Sequence, residues 1–154
     1  MFYGLALLSG ILAGSRAFMA PAAVSWAART GHLILNGSWL AFMGYAWTAW
    51  IFTGLALIEL VADQLPWTPS RRSAPQFGAR LLTGALSGGT LGASGDTSWK
   101  VGLIAGAVGA VFGTHVSADF RARTAKAFGR DRPAALIEDA GAIILGLVIV
   151  GVLL

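Results

Sequence analysis

The sequence predicts an all-α fold, a polytopic membrane helix bundle with about five transmembrane segments. Of the 154 residues, 56% are hydrophobic and only 12% are charged, and the mean hydropathy is +0.70. About a quarter of the residues in a soluble domain are charged, so this composition, with its long uncharged runs, indicates a chain solvated by lipid. Lys and Arg are concentrated in two short loops, which is typical of membrane proteins.

Five apolar segments can be placed along the chain, each close to the ~20 residues that cross a bilayer. They lie at about 2–28, 38–63, 78–95, 99–118 and 134–154. The third segment, GARLLTGALSGGTLGASG, is only mildly apolar, so it either spans the membrane fully or re-enters it. The whole chain, 1–154, is expected to form a single transmembrane domain.

The first segment contains an arginine, Arg16, between apolar neighbours and about 20 Å along the helix. A guanidinium at that depth costs at least about 2.5–3.5 kcal/mol on insertion scales. Pro21 cannot donate a backbone N–H, so the segment is expected to be broken or kinked near 15–21. Arg16 either pairs with a buried carboxylate or contacts an anion in a cavity, and the sequence leaves both interpretations open.

Two parts of the chain are similar enough to suggest an internal repeat. GLALLSGILAGSRAFMAPAAVSWAARTG at 4–31 resembles GLIAGAVGAVFGTHVSADFRARTAKAFG at 102–129, and an ALIE string follows each, at 56–59 and 135–138. Half-repeats 1–72 and 99–154 would then be joined by the helix 78–95. One helix between two such halves reverses the second, which gives the inverted repeat common in transporters.

Basic residues predict how the chain is oriented. Most of them follow the second and fourth segments, as Arg71, Arg72 and Arg80, and as Arg121, Arg123, Lys126, Arg130 and Arg132. The other two loops contain only Arg29 and Lys100. Basic loops stay in the cytoplasm, so five spans place the N-terminus in the cytoplasm and the C-terminus outside.

Composition also excludes some functions. The chain has no cysteine, which excludes disulfides and thiolate chemistry. Its pI is near 10.4, but the basic residues crowd into two loops, so nucleic acid is not an expected partner.

Small residues recur at helical spacing on three segments and predict close helix packing. They are Gly10 and Gly14, Gly84, Gly88 and Gly92, and Gly102, Gly106, Gly109 and Gly113. Such faces either pack the bundle internally or form the seam of a homodimer.

Two pairs of carboxylates are expected at the cytoplasmic side, Glu59 with Asp63 and Glu138 with Asp139. The i, i+4 spacing of the first pair puts both side chains on one face of a helix. His115 and Asp119, near the end of the fourth segment, reach the same depth.

Three interpretations of these groups are open. The four acids Glu59, Asp63, Glu138 and Asp139 could bind a divalent cation such as Mg²⁺. Together with Arg16, His115 and Asp119 they could instead bind a transported ion or substrate. In the third interpretation each acid pairs with an arginine and fixes a helix end.

The stretch after the second segment offers hydroxyl and guanidinium donors at the depth of lipid headgroups. These donors are Thr68, Ser70, Arg71, Arg72 and Arg80. They suit a lipid phosphate, although a basic cytoplasmic loop needs no ligand to explain it.

The strings SRAFMAPAAVSWAARTG, ELVADQLPWTPSR, QFGAR and RPAALIEDA resemble a family of small bacterial integral membrane proteins described as domain of unknown function 4126. The similarity covers nearly the whole chain. It implies a protein of the bacterial inner membrane and assigns no catalytic or binding role to any residue.

The sequence therefore favours a small transporter or channel with a carboxylate-rich site near the cytoplasmic side. One alternative is a metal-dependent enzyme or binder that acts on a phosphate-bearing lipid, and another is a non-catalytic membrane scaffold. The chain shows no recognised nucleophile or nucleotide-binding motif, which favours a role other than catalysis.

Overall fold

The computed structural model describes residues 1–65, 73–94 and 98–153, which form six α-helices and one 3₁₀ helix, without a strand among them. The helices are α1 (Phe2–Ser15), α2 (Met19–Arg29), α3 (Ala46–Ala62), α4 (Ala74–Ser94), α5 (Trp99–Phe128) and α6 (Asp131–Leu153). The 3₁₀ helix Trp39–Gly44 precedes α3. The predicted all-α class is confirmed.

Two helices, α5 and α6, are long and apolar enough to cross a membrane, which suggests a membrane protein. Helices α1 and α3 are apolar but shorter, so the predicted five spans are not confirmed. The surface agrees with a lipid environment, because many large apolar side chains are more than half exposed, among them Trp47, Ile58, Leu82 and Leu147. Soluble monomers rarely expose large apolar patches.

The expected break in the first segment is confirmed. Helix α1 ends at Ser15, and Arg16 has an extended backbone, with φ −139° and ψ 108°. Helix α2 begins at Met19, so Pro21 lies in its first turn. Proline is tolerated there because the first backbone N–H groups of a helix have no intrahelical acceptor.

The two helices on either side of the break form a hairpin. Leu5 and Ala6, near the start of α1, share a hydrophobic cluster with Val24 and Ala27, near the end of α2. Ala20, near the start of α2, instead packs in a second cluster with α1 residues close to the break. Helix α2 therefore runs back along α1 and does not continue it as one span.

Helix α1 runs in the same direction as α5. The backbone of Gly14 lies against Gly113 and Thr114, and that of Gly10 lies against Gly106. At the start of both helices, the Ser98 N–H donates to the Tyr3 hydroxyl over 3.2 Å. The predicted inverted repeat is not supported, since it would require these two helices to be antiparallel.

The two ends of the bundle differ in chemistry. At the aromatic end, Tyr3 lies close to the start of α5, and the Trp39 and Trp99 rings are 5.6 Å apart. The basic end contains the last turns of α5 and the first turn of α6. The chain begins and finishes at the aromatic end, because Phe2 and Leu153 pack against the same hydrophobic cluster.

This arrangement corrects the predicted threading. The N-terminus was expected on the same side as the basic loops, whereas Phe2 lies at the aromatic end of the bundle and the hairpin returns the chain to that end before α3 begins. The side of the membrane that each end faces stays a prediction. Helix α5 also continues to Phe128 and not to about 118, so Arg121, Arg123 and Lys126 are helical. Arg80 likewise lies within α4 and not in a loop.

The glycine faces meet inside one chain, where α1, α4 and α5 pack against each other. At Gly106 all three helices converge, because a Cβ there would meet the carbonyl oxygen of Gly84 and the Cα of Gly88, and a Cβ on Gly10 would meet the Gly106 backbone. Without side chains at these positions the backbones approach closely. The faces expected as a homodimer seam are thus covered within the chain.

We expect Gly106→Ala to lower the free energy of unfolding by about 1–3 kcal/mol, because the new methyl group would press on backbone atoms of α4 that cannot rotate away. Gly141→Ala is the matched control, since nothing lies within 4 Å of a Cβ at that position in α6, and its better helix propensity should make it neutral or slightly stabilising. Chemical unfolding in detergent measures the free energy of unfolding of both variants. Equal stability of the two variants would contradict the packing described here.

We expect Tyr3→Cys and Arg130→Cys to be labelled from opposite sides of the membrane, because the two positions lie at opposite ends of the bundle. The chain has no native cysteine, so an impermeant maleimide reports each site without background. Ile34→Cys, a position that is 68% exposed, should label together with Tyr3→Cys, since the Ile34 N–H is bonded to the side chain of Ser94 at the end of α4. Labelling of Tyr3→Cys and Arg130→Cys from one side would instead support five spans.

Candidate functional site

A buried arginine in the break between α1 and α2 organises the candidate site. Arg16 is fully buried, and its guanidinium donates to the carboxylates of Asp63 and Asp139. Asp63 is the C-cap residue that directly follows α3, and Asp139 lies in the third turn of α6. Of the two interpretations of Arg16, the buried ion pair is confirmed, and it joins the hairpin to α3 and α6.

Glu59 holds the other side of the break. Its two carboxylate oxygens accept the backbone N–H groups of Ala17, over 2.8 Å, and Phe18, over 3.0 Å. These donors precede the first turn of α2, where N–H groups lack intrahelical partners and the helix dipole favours an anion. An acid at the end of α3 opposes the dipole of its own helix, and here it serves the start of α2.

Arg80 binds the backbone carbonyl groups at the end of α1, on the opposite side of the break from Glu59. Its Nη1 donates to the carbonyl oxygens of Gly14 and Ser15, both over 2.6 Å, where a helix C-terminus favours a cation. Its Nη2 lies 3.7 Å from a Glu59 carboxylate oxygen. Arg80 is 1% exposed and makes these contacts inside the bundle, whereas the sequence placed it among the headgroup donors, a role that stays a prediction.

Asp63 and Asp139, one from each predicted pair of carboxylates, meet at the same end of the bundle, as the sequence predicted. Asp63 and Asp139 share the Arg16 guanidinium, and the Gln64 side chain donates to Asp139 over 3.1 Å. These contacts fix the depth at which α3 ends and α6 begins.

Arg121 closes the network at the basic end. It donates to Asp131 over 2.9 and 2.5 Å and to the backbone carbonyl of Asp63 over 3.2 Å. Its Nη1 also lies 3.9 Å from Glu138, whose side chain is 5% exposed. One arginine of α5 therefore contacts the end of α3 and the start of α6.

His115 and Asp119 are not buried with this network. Both side chains are exposed on α5, and the His115 ring lies 6.2 Å from the ring of Phe77 on α4. Four of the predicted headgroup donors, Thr68, Ser70, Arg71 and Arg72, lie outside the described residues.

The predicted divalent metal site does not form among the described residues. Within 1–65, 73–94 and 98–153, no three His, Cys, Asp or Glu side chains are grouped so that they could hold a metal ion. The four acids proposed as ligands contact arginines or backbone N–H groups instead. The geometry thus favours ion pairs over coordination by Glu59, Asp63, Glu138 and Asp139.

A cavity of about 350 Å³ opens beside the break, between α3 and the start of α4. Its polar lining comes from Glu59, Asp63 and Gln76, and the remaining described lining is apolar, with Phe18 and Ile58 among it. Two carboxylates of the buried network can therefore be reached from outside the bundle.

Sequence reasoning missed the roles of Arg80 and Gln64. A signal for Arg80 was present, because it falls inside the predicted segment 78–95, where a lone guanidinium is costly unless a partner is buried with it. No comparable signal marked Gln64, a single amide beyond the end of α3.

We expect Arg16→Gln to lower the free energy of unfolding by about 3–5 kcal/mol, because it leaves Asp63 and Asp139 buried without their shared cation. Arg29→Gln, on the exposed last turn of α2, should stay within about 0.5 kcal/mol of wild type. Adding Asp139→Asn to Arg16→Gln should cost less than the sum of the single changes, with a coupling of about 0.5–3 kcal/mol. Strict additivity in chemical unfolding would refute the pairing.

The chain was compared with protein families, with curated proteins and with solved structures. No curated protein and no solved structure matches the chain. One family model matches residues 3–152, which include every charged residue of the site and all of the six helices except the first residue of α1 and the last of α6. The chain therefore belongs to the family described as domain of unknown function (DUF4126).

Proposed function

We propose that this protein is a small membrane transporter whose cavity beside the helix break receives a cationic solute. The observation that supports this most is that Glu59 and Asp63, two members of the buried ion-pair network, also line a cavity of about 350 Å³. Small-molecule sites are commonly clefts of about 300–1,000 Å³ with mainly apolar walls and a few polar groups.

The charge of the cavity favours a cation. Two of its described lining residues are carboxylates, and none of the described lining residues is a lysine or an arginine. The apolar lining around Phe18, Leu55 and Ile58 suits a solute with an apolar part, such as an organic ammonium or guanidinium ion. Buried carboxylates in transporter helices commonly mark the path of such ions.

The broken helix supports transport for a second reason. Transporters place solute and ion sites at the ends of discontinuous helices, and here Glu59 occupies the α2 end while Arg80 occupies the α1 end. A cation bound at Glu59 competes with the N–H groups of Ala17 and Phe18 for the same oxygens. Binding would thus loosen the start of α2, which couples solute occupancy to the position of the hairpin.

For the location we propose the bacterial inner membrane, with several crossings and the basic end in the cytoplasm. Support comes from the apolar surface and from the basic residues at one end of the bundle, since such residues stay on the cytoplasmic side. Both chain ends, which lie at the aromatic end, would then face outside.

A non-catalytic scaffold is the second candidate, and one observation favours it. Asp63, Asp139 and Glu138 lie within 4 Å of an arginine, and Glu59 caps a helix, so each acid has a structural role. Arg80 gives no support to the third hypothesis, an enzyme or binder that holds a phosphate-bearing lipid at the stretch after the second segment, because its guanidinium donates to α1 carbonyls.

Uptake into proteoliposomes under a pH or potassium gradient tests the proposal, with guanidinium, tetraethylammonium and potassium as probes. We expect wild type to accumulate one of these cations, and Glu59→Gln to reduce the initial rate by at least about tenfold, the effect of losing about 1.4 kcal/mol of interaction. Asp119→Asn removes an exposed carboxylate of α5 that does not line the cavity, and it should transport as wild type does.

A second variant separates transport from stability. Ala79→Leu narrows the cavity without changing charge, because Ala79 lines it, and should slow uptake while the unfolding midpoint is kept. Absence of flux for every probe, together with unfolding as the only effect of Glu59→Gln, would leave the scaffold as the better description.

A further inference from the structure

The last part of α5 is longer than a membrane crossing requires. The helix has 30 residues, or about 45 Å at a rise of about 1.5 Å per residue, whereas the hydrocarbon layer is about 30 Å thick. If Trp99 lies at the membrane–water interface on the side of the aromatic end, about ten residues of α5 project beyond the membrane–water interface on the other side. Gly129, with φ +64°, then turns the chain directly into α6.

We name residues 119–132 the basic tip. Five basic side chains against two acidic ones give it a net charge of +3, while the whole chain has +4. Arg121 is engaged with Asp131 and Glu138. The remaining four cations are exposed, and in the described part of the chain no ion pair joins them to a carboxylate: Arg123, Lys126, Arg130 and Arg132.

The basic tip groups its exposed cations, whereas elsewhere in the described residues exposed Lys and Arg side chains occur singly, as Arg29 and Lys100. Arg16 and Arg80 are buried against carboxylates, and Lys100 lies over the ring of Trp99 at 5.8 Å. The basic tip also exposes two aromatic rings, Phe120 at 47% and Phe128 at 56%. Aromatic rings beside cations suit the boundary between headgroups and acyl chains.

We propose that the basic tip binds the phosphate headgroups of anionic lipids at the surface of the bilayer from which it projects. Clusters of four to eight basic residues directly next to a membrane segment attract anionic lipids, and each basic residue strengthens binding about fivefold. Guanidinium groups supply three of the four exposed cations, and they match phosphate oxygens in pairs. The exposed rings anchor the tip at the depth where those phosphates lie.

This inference does not depend on transport. It requires only that α5 and α6 cross the membrane, and it assigns a lipid partner to a surface remote from the cavity at Glu59. A soluble polyanion would be attracted by the same charges, but the exposed Phe120 and Phe128 favour a partner with an apolar layer beside its phosphates.

Spin-labelled lipids measure the preference directly. Protein reconstituted in phosphatidylcholine receives a trace of spin-labelled phosphatidylglycerol or phosphatidylcholine, and the motionally restricted fraction gives the relative association constant. We expect wild type to prefer phosphatidylglycerol, with a preference that falls at high salt because the Debye length shrinks to a few Å. The double variant Arg123→Gln, Lys126→Gln should lower the relative association constant for phosphatidylglycerol at least twofold. Removing all four exposed cations of the basic tip should abolish the preference for phosphatidylglycerol.

The matched control is Arg29→Gln with Lys100→Gln, which removes the same charge from the aromatic end and should keep the preference. Exchanging the two basic residues, Arg123→Lys with Lys126→Arg, retains charge and should also keep it. An unchanged preference in the Arg123→Gln, Lys126→Gln variant would overturn the proposal. So would an equal loss in the control, or a stronger affinity for short single-stranded DNA in detergent than for phosphatidylglycerol.

Discussion

The structure depends on the burial of one positive charge. Arg16 is completely removed from solvent, and an isolated buried ion is far less stable than the same ion in water. Two carboxylates must therefore approach it from separate helices. The ion pair with Asp63 fixes the position at which α3 ends, and the ion pair with Asp139 fixes how far α6 is shifted along the bundle. The first segment must be broken at Arg16 so that both acids can reach the guanidinium.

The break itself is stabilised by charges of opposite sign on its two sides. A helix that stops inside a bundle leaves carbonyl groups at one end and N–H groups at the other without partners. Arg80 satisfies the first set and Glu59 the second, and their side chains are close to each other. The discontinuity is thus a defined part of the architecture, and its exposed face coincides with the cavity.

Much of this arrangement could be predicted from the sequence, for identifiable reasons. Hydropathy located α3 to α6, and the cost of Arg16 in an apolar run, with Pro21 nearby, located the break. The meeting of Asp63 and Asp139 followed from counting directions after the first segment. The return of α2 could not be predicted, because glycine- and alanine-rich helices pack equally well in either direction. Arg80 was counted with the basic loop although it lies inside the predicted segment 78–95, because it is only two residues from the predicted start and segment boundaries are uncertain by one or two residues.

The glycine contacts among α1, α4 and α5 have a mechanical consequence. Where Gly106 meets Gly84 and Gly10, main chain rests on main chain, and there are no rotatable groups whose rearrangement could accommodate sliding or rolling. The three helices behave as a stiff frame. The elements outside that frame, α2 and α3 above all, can shift without main chain sliding on main chain.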